Sequence, residues 1–189
     1  MNRRNFLTNL SLIGAGSSLI LNSCETTNDS NTTENLDADL QVLTDAANFE
    51  ASGIATYVAA ANSGLLTDQA VIDTALSFKS QHEQHLAALN IILADNNRNT
   101  ISADSAEPVP GTATVTNQND ILLLAMDVEF QAAAFYFTGI TQTVSTFAVR
   151  KVFANIFPME LAHAVAYKNV LGRTPGINSG LFEEFNIGS

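Results

Sequence analysis

Four stretches of the chain repeat apolar residues at alternating spacings of three and four, the pattern of helices that each bury one stripe against neighbours. The first runs from about residue 36 to 61 along Leu36, Leu40, Leu43, Ala47, Glu50, Ile54, Tyr57 and Ala61. The segment "NSGLLTDQ" breaks it, with Thr67 or Asp68 as the next helix N-cap. The second runs to about residue 94 along Val71, Ala75, Phe78, His82, His85, Leu89 and Ile92. The third, from about 119 to 139, follows Leu122, Met126, Glu129, Ala133, Tyr136 and Ile140. The fourth, from about 145 to 171, follows Val149, Phe153, Ile156, Glu160, His163, Tyr167 and Val170. Gly172 is its expected stop, and Pro158 is expected to remove one backbone hydrogen bond and kink the helix just before Glu160.

Between the second and third stretches lies "DNNRNTISADSAEPVPGTATVTNQND", rich in turn formers and too long for a hairpin between antiparallel neighbours. It suits a crossover running the length of a bundle. The two halves also repeat. Glu50 and Tyr57, like Glu129 and Tyr136, are seven apart; Glu50 to His85 spans 35 residues and Glu129 to His163 spans 34. The predicted fold is all-α: a four-helix bundle over residues 36–172, made of two helical hairpins joined by a long crossover.

Polar residues intrude on these stripes in a consistent way. All three histidines, His82, His85 and His163, occupy seam positions, as do Glu50, Glu129 and Glu160. Burying a carboxylate costs several kcal/mol unless a partner compensates it, roughly the effective penalty of an unpaired buried ion. Lys79, Arg150, Lys151 and Lys168 all fall off the seams, so no buried lysine or arginine can do so. A metal ion is the simplest compensation left. Residues i and i+3 share a helix face, so His82 with His85, and Glu160 with His163, can each converge on one point. Glu83 faces away and is expected to pair with Lys79 one turn earlier, which excludes it as a ligand. Tyr57 lies about 10 Å along its helix from Glu50, too far to share a metal. Tyr57, Tyr136 and Tyr167 therefore read as core, with Tyr167 placed one turn beyond His163 to hydrogen-bond to a ligand. The run "FQAAAFYF" reads as core packing.

A glutamate on helix one, paired ligands on helix two, a glutamate on helix three and Glu-x-x-His on helix four resemble the ferritin-like superfamily of di-iron and di-manganese carboxylate proteins. More narrowly, they resemble the bacterial exported "ferritin-like domain" proteins, over roughly residues 36–171. The resemblance implies that Glu50 and Glu129 are terminal carboxylate ligands, Glu160 a bridging one, and His85 and His163 the histidine ligands. His82 departs from it, because that pattern places a second bridging glutamate there and a neutral imidazole binds one metal through one nitrogen. Three carboxylates leave two divalent ions with about one uncompensated positive charge, expensive at low dielectric. A single ion, or a histidine-rich site accepting zinc or copper, thus stands beside di-iron. The resemblance implies iron or manganese reacting with oxygen or peroxide. The alternative is a lipid-anchored structural or interaction bundle, with a stabilising metal or none and no turnover.

The N-terminus adds an address. Arg3 and Arg4 precede an apolar run, residues 6–21, that is too interrupted for a membrane span of roughly 20 residues. "RRNFL" resembles a twin-arginine export signal and "LNSC" a lipobox, so residues 1–24 are expected to be a signal peptide with Cys24 the lipidation site. Residues 25–35 read as a flexible tether, and 173–189 as an irregular tail whose Phe182 and Phe185 pack back on the bundle. The expected location is a membrane-anchored lipoprotein, periplasmic or at the cell surface. Cys24 is the sole cysteine, which excludes an intrachain disulfide. The full chain has net charge −11 from 8 basic and 19 acidic residues. Without Arg3 and Arg4, 6 basic residues remain against 19 and the net charge is −13, a surface that repels nucleic acid. The expected partners are metal ions and, through Cys24, a membrane.

Overall fold

The computed structural model describes residues 29–172, with side chains from residue 35 onward. It contains four long helices, α1 (Asp29–Asn62), α2 (Gln69–Asp95), α3 (Gln118–Thr138) and α4 (Phe147–Val170), and no strand among the described residues. Three helices lie within two or three residues of their expected bounds. The exception is α1, which begins at Asp29, inside the stretch expected to be a tether. The sequence of its first turns, "DSNTTEN", carries no apolar residue, the composition that reads as a tether. The expected signal peptide with Cys24, and the expected tail with Phe182 and Phe185, lie outside the described residues.

Local chemistry sets the helix ends. Asp68 caps α2, its side chain accepting from the Ala70 amide at 2.9 Å, and Asn117 caps α3 by accepting from the Asp120 amide at 3.0 Å. The start of α4 is held from outside. Asp39 of α1 is buried and accepts from the amides of Ser145 (3.0 Å) and Thr146 (2.5 Å) and from the Ser145 hydroxyl (3.0 Å). Burial pushes the Asp39 carboxyl up, but these hydrogen bonds outweigh it and hold the group below the ordinary carboxylate range. After Val170 the chain turns at Gly172, whose φ of +67° favours glycine. α3 ends in a π-helical turn over Gly139–Thr143. A Cβ on Gly139 would stand 2.5 Å from the buried Phe153 ring, so the close approach of α3 and α4 requires glycine there.

Contacts between helix ends fix the topology. The Gln118 side chain accepts from the amides of Thr67 and Asp68, both at 2.9 Å, so α3 starts beside the start of α2 and runs parallel to it. Asp39 places the start of α4 beside the start of α1. Thus α1 and α2 form one antiparallel hairpin, α3 and α4 a second, and α1 and α3 run in opposite directions. Each hairpin packs mainly within itself. Residues 96–117 form the crossover, fastened to α2 by two 2.8 Å bonds between the Asn90 amide and the Ile101 backbone. A third bond, from the Val109 amide to the Thr56 hydroxyl (2.9 Å), fastens it to α1.

The core is in two parts. At one end, Leu40, Leu43, Ala47, Leu89, Leu93, Val149 and Phe153 pack together; at the other, Val71, Ala75, Leu122, Met126 and Tyr167 do. The six seam glutamates and histidines lie between them. Stripes drift at the extremities: Ala61 and Val170 are exposed and Ala60 is buried instead, because a straight helix rotates by about 20° per heptad relative to a strict seven-residue repeat. α4 continues through Pro158 without interruption.

Candidate metal centre

Each of the four helices brings its seam glutamates and histidines to one height. Glu50, His82, Glu129, Glu160 and His163 are buried, and His85 is nearly so, with its side chain 11% exposed. They form two overlapping groups: Glu50, His82, His85 and Glu160, and His82, Glu129, Glu160 and His163. Within each group, one donor atom per residue lies within 4.8 Å of the others, and slight contraction brings such atoms to ligand bonds of about 2.0–2.2 Å. Glu160 belongs to both, facing His85 Nδ1 through Oε1 (2.7 Å) and His163 Nδ1 through Oε2 (3.6 Å).

Among the described residues, five buried side-chain atoms have no hydrogen-bond partner: His85 Nδ1, His163 Nδ1, Glu129 Oε2 and both oxygens of Glu160. His85 Nδ1 and Glu160 Oε1 are near each other but not aligned for a hydrogen bond. Buried polar atoms are rarely left so, and five orphans within one cluster are what a ligand set for a cation looks like. His163 is prepared for that role. Its Nε2 lies 2.9 Å from Gln81 Oε1, an acceptor, so Nε2 carries a proton and Nδ1 faces Glu129 and Glu160. Phe78 stacks on the same ring at a centroid distance of 4.0 Å.

His82 does more than its sequence position suggested. Its Nδ1 lies 2.7 Å from Glu50 Oε2 and its Nε2 3.2 Å from Glu129 Oε1, so the ring spans the two carboxylates with one nitrogen toward each group. Burial lowers its affinity for a second proton, but the charges of Glu129 and Glu50 outweigh that and raise its pKa well above the ordinary histidine value. A protonated His82 thereby supplies one counter-charge that a search for buried lysine and arginine overlooks. Burial likewise tends to raise Glu50 and Glu129, yet contact with His82 and neighbouring histidines keeps both carboxyls low. Glu160 is the exception. Burial raises it despite the nearby rings of His163 and His85.

The tyrosines are more than core. Tyr136 donates to Glu50 Oε1 and Tyr57 to Glu129 Oε1, each across the gap between α1 and α3. Tyr167 donates to the Tyr57 hydroxyl at 3.0 Å, and so acts on Glu129 at one remove rather than on His163. The spacing within one helix places Tyr57 too far from Glu50, but α1 and α3 are antiparallel and helical side chains lean toward their own N-terminus. Each tyrosine therefore reaches back to the glutamate of the other helix. The shared seven-residue Glu–Tyr spacing was the signal for this; Gln81 had none. Glu83 is exposed and pairs with Lys79 at 2.5 Å, as expected.

Fold and site together define an all-helical bundle with a buried glutamate–histidine centre able to hold a metal ion. No family model and no curated protein matches the chain. Among solved structures, it is similar to one described as a conserved hypothetical protein, rv2844, from Mycobacterium tuberculosis. The identity is 20% and the TM-score 0.61, over 71% of this chain and 98% of that one, a likeness of fold.

Proposed function

We propose that this chain is a ferritin-like metal-binding protein whose centre takes iron or manganese and reacts with oxygen or peroxide. The five orphaned buried donor atoms carry the reading, since they belong to the two overlapping groups that could each hold a metal ion, and no side chain hydrogen-bonds to them. Glu50 and Glu129 would be terminal carboxylates, Glu160 the shared one, and His85 and His163 nitrogen ligands through Nδ1. A bound redox metal would supply the electron transfer to oxygen that no side chain here provides. The protein's own part is to hold the donors, keep Glu50 and Glu129 ionised through Tyr136, Tyr57 and His82, and exclude water with an apolar core on either side. The twin-arginine motif, a route for proteins exported already folded, and Cys24 in its lipobox support an exported, lipid-anchored location.

A stabilising metal without turnover is the second reading, favoured by His82, which occupies the position of the second bridging carboxylate and spans Glu50 and Glu129. Anaerobic loading with ferrous iron followed by exposure to air separates the two. The first reading expects rapid oxidation with an optical change in the wild type and its loss in Glu160→Ala; binding with no faster oxidation than free ferrous iron would favour the second.

A further inference from the structure

Beside the metal centre lies a cavity of about 540 Å³, within the range of roughly 300–1,000 Å³ usual for small-molecule sites. It opens between the C-terminal half of α1 and the N-terminal half of α3, and the crossover segment 107–115 roofs it. Its walls are mainly Ala60, Leu66, Val71, Leu122, Ala125 and Val109, and its inner end is closed by Tyr57, His82, Glu129 and Tyr167. The cavity thus shares two residues with one of the ligand groups.

The lining selects the occupant. Among the described residues no lysine or arginine borders the cavity and the charge of His82 is taken up by Glu50 and Glu129, so nothing there would balance a carboxylate or phosphate, and Glu107 at the roof would repel one. Glu129 offers a cation nothing from this side, because Oε1 is already held by Tyr57 and His82 and Oε2 is buried toward His163 in the metal centre, which leaves only the solvent-exposed Glu107 at the roof. The Tyr57 hydroxyl donates to Glu129 and accepts from Tyr167, which leaves it one acceptor site. From this we infer that the cavity binds an uncharged, mainly apolar organic molecule carrying a single hydroxyl or amine donor, oriented with that donor at Tyr57 and beside the metal centre. The adjacency to a metal rests on the proposed metal-binding reading; the cavity does not.

N-Phenyl-1-naphthylamine, an uncharged fluorophore with one N–H, is the probe. Titrated into the full-length chain in metal-free, zinc-loaded and cobalt-loaded forms, it should show a saturable rise in emission, quenched in the cobalt form relative to the zinc form. Ala60→Phe and Ala125→Phe, which fill the cavity, should each weaken binding about tenfold or more, the loss expected when a few buried methylenes no longer fit. Leu76→Phe, on an exposed face of α2, should leave it unchanged, and all three should keep wild-type helicity and metal stoichiometry. No emission rise, or one that survives both filling variants, overturns the proposal even where metal binds. Probe binding lost in the filling variants of a chain that binds no metal upholds the cavity and sinks the metal reading instead. Equal emission with cobalt and zinc overturns the placement beside the centre.

Discussion

Removing the Tyr136 hydroxyl tests the reciprocal clamp between α1 and α3. Tyr136 is fully buried, and its hydroxyl is the sole donor to Glu50 Oε1 among the described residues, since His82 approaches the other oxygen. Burial, then the charge of Glu50, pushes the Tyr136 pKa well above the ordinary phenol value, so it stays a donor throughout the accessible range. Tyr136→Phe keeps the ring and its edge-on packing against Phe153, and leaves one oxygen of a buried carboxylate without a partner. A hydrogen bond to a charged group contributes about 1.5–3 kcal/mol, which for a domain of this size is roughly 4–10 °C in melting temperature. Tyr167→Phe is the comparison. It loses a bond between two neutral hydroxyls, worth about 0.5–1.5 kcal/mol. Urea unfolding of the metal-free protein, followed by far-UV circular dichroism, measures both. A Tyr136→Phe protein within about 0.5 kcal/mol of wild type, or less affected than Tyr167→Phe, would refute the reasoning, because the charge of the acceptor sets the order.

Four further outcomes follow from particular contacts. Burial lowers the His85 pKa, but the neighbouring carboxylates of Glu160 and Glu50 outweigh this and raise it to about 9. A raised folded pKa adds stability that is fully present below the unfolded value of about 6.5 and disappears as pH rises through 9. Metal-free protein should therefore melt lower at pH 9.5 than at pH 6.5, and metal affinity, read by chelator competition, should rise across the same window as His85 loses its proton. Asp39→Ala should cost about 1–3 kcal/mol in urea unfolding at pH 7, by freeing the first amides before α4; because the Asp39 pKa is depressed, its contribution holds above the unfolded value and fades only as pH falls through the folded one. Gly139→Ala should cost about 1–3 kcal/mol by driving a methyl into the Phe153 ring, and a neutral result in the same assay would contradict the close approach of α3 and α4 there. His82→Glu, which places a carboxylate where the other hairpin has Glu160, should raise metal bound per chain in elemental analysis; unchanged stoichiometry would count against His82 as the reason the site departs from four carboxylates.

Periodicity alone placed the bundle and all six centre residues, because a polar group on an apolar seam has one place to go once helices pack. What it could not place depends on which helix lies opposite which. Tyr57 and Tyr136 serve glutamates on each other's helix, a pairing that exists only after α1 and α3 are set antiparallel. Gln81 sits beside a seam position and reaches His163 because α2 and α4 are neighbours at that level. Asp39 sits one residue before a seam leucine, and its burial comes from the α4 start arriving over it. The double role of His82 follows from a ring standing between two carboxylates, which spacing along one helix cannot reveal. The start of α1 read as a tether because low apolar content is the mark by which a sequence announces a linker, yet the helix begins at Asp29.

Elemental analysis of the protein purified without chelator, with wild type beside Glu160→Ala, tests the central claim most directly. The account predicts at least one tightly held transition-metal ion per wild-type chain, a marked fall in melting temperature on chelation, and loss of both in the variant. A wild-type chain that carries no metal, takes up none of iron, manganese or zinc, and melts at the same temperature with and without chelator would contradict it.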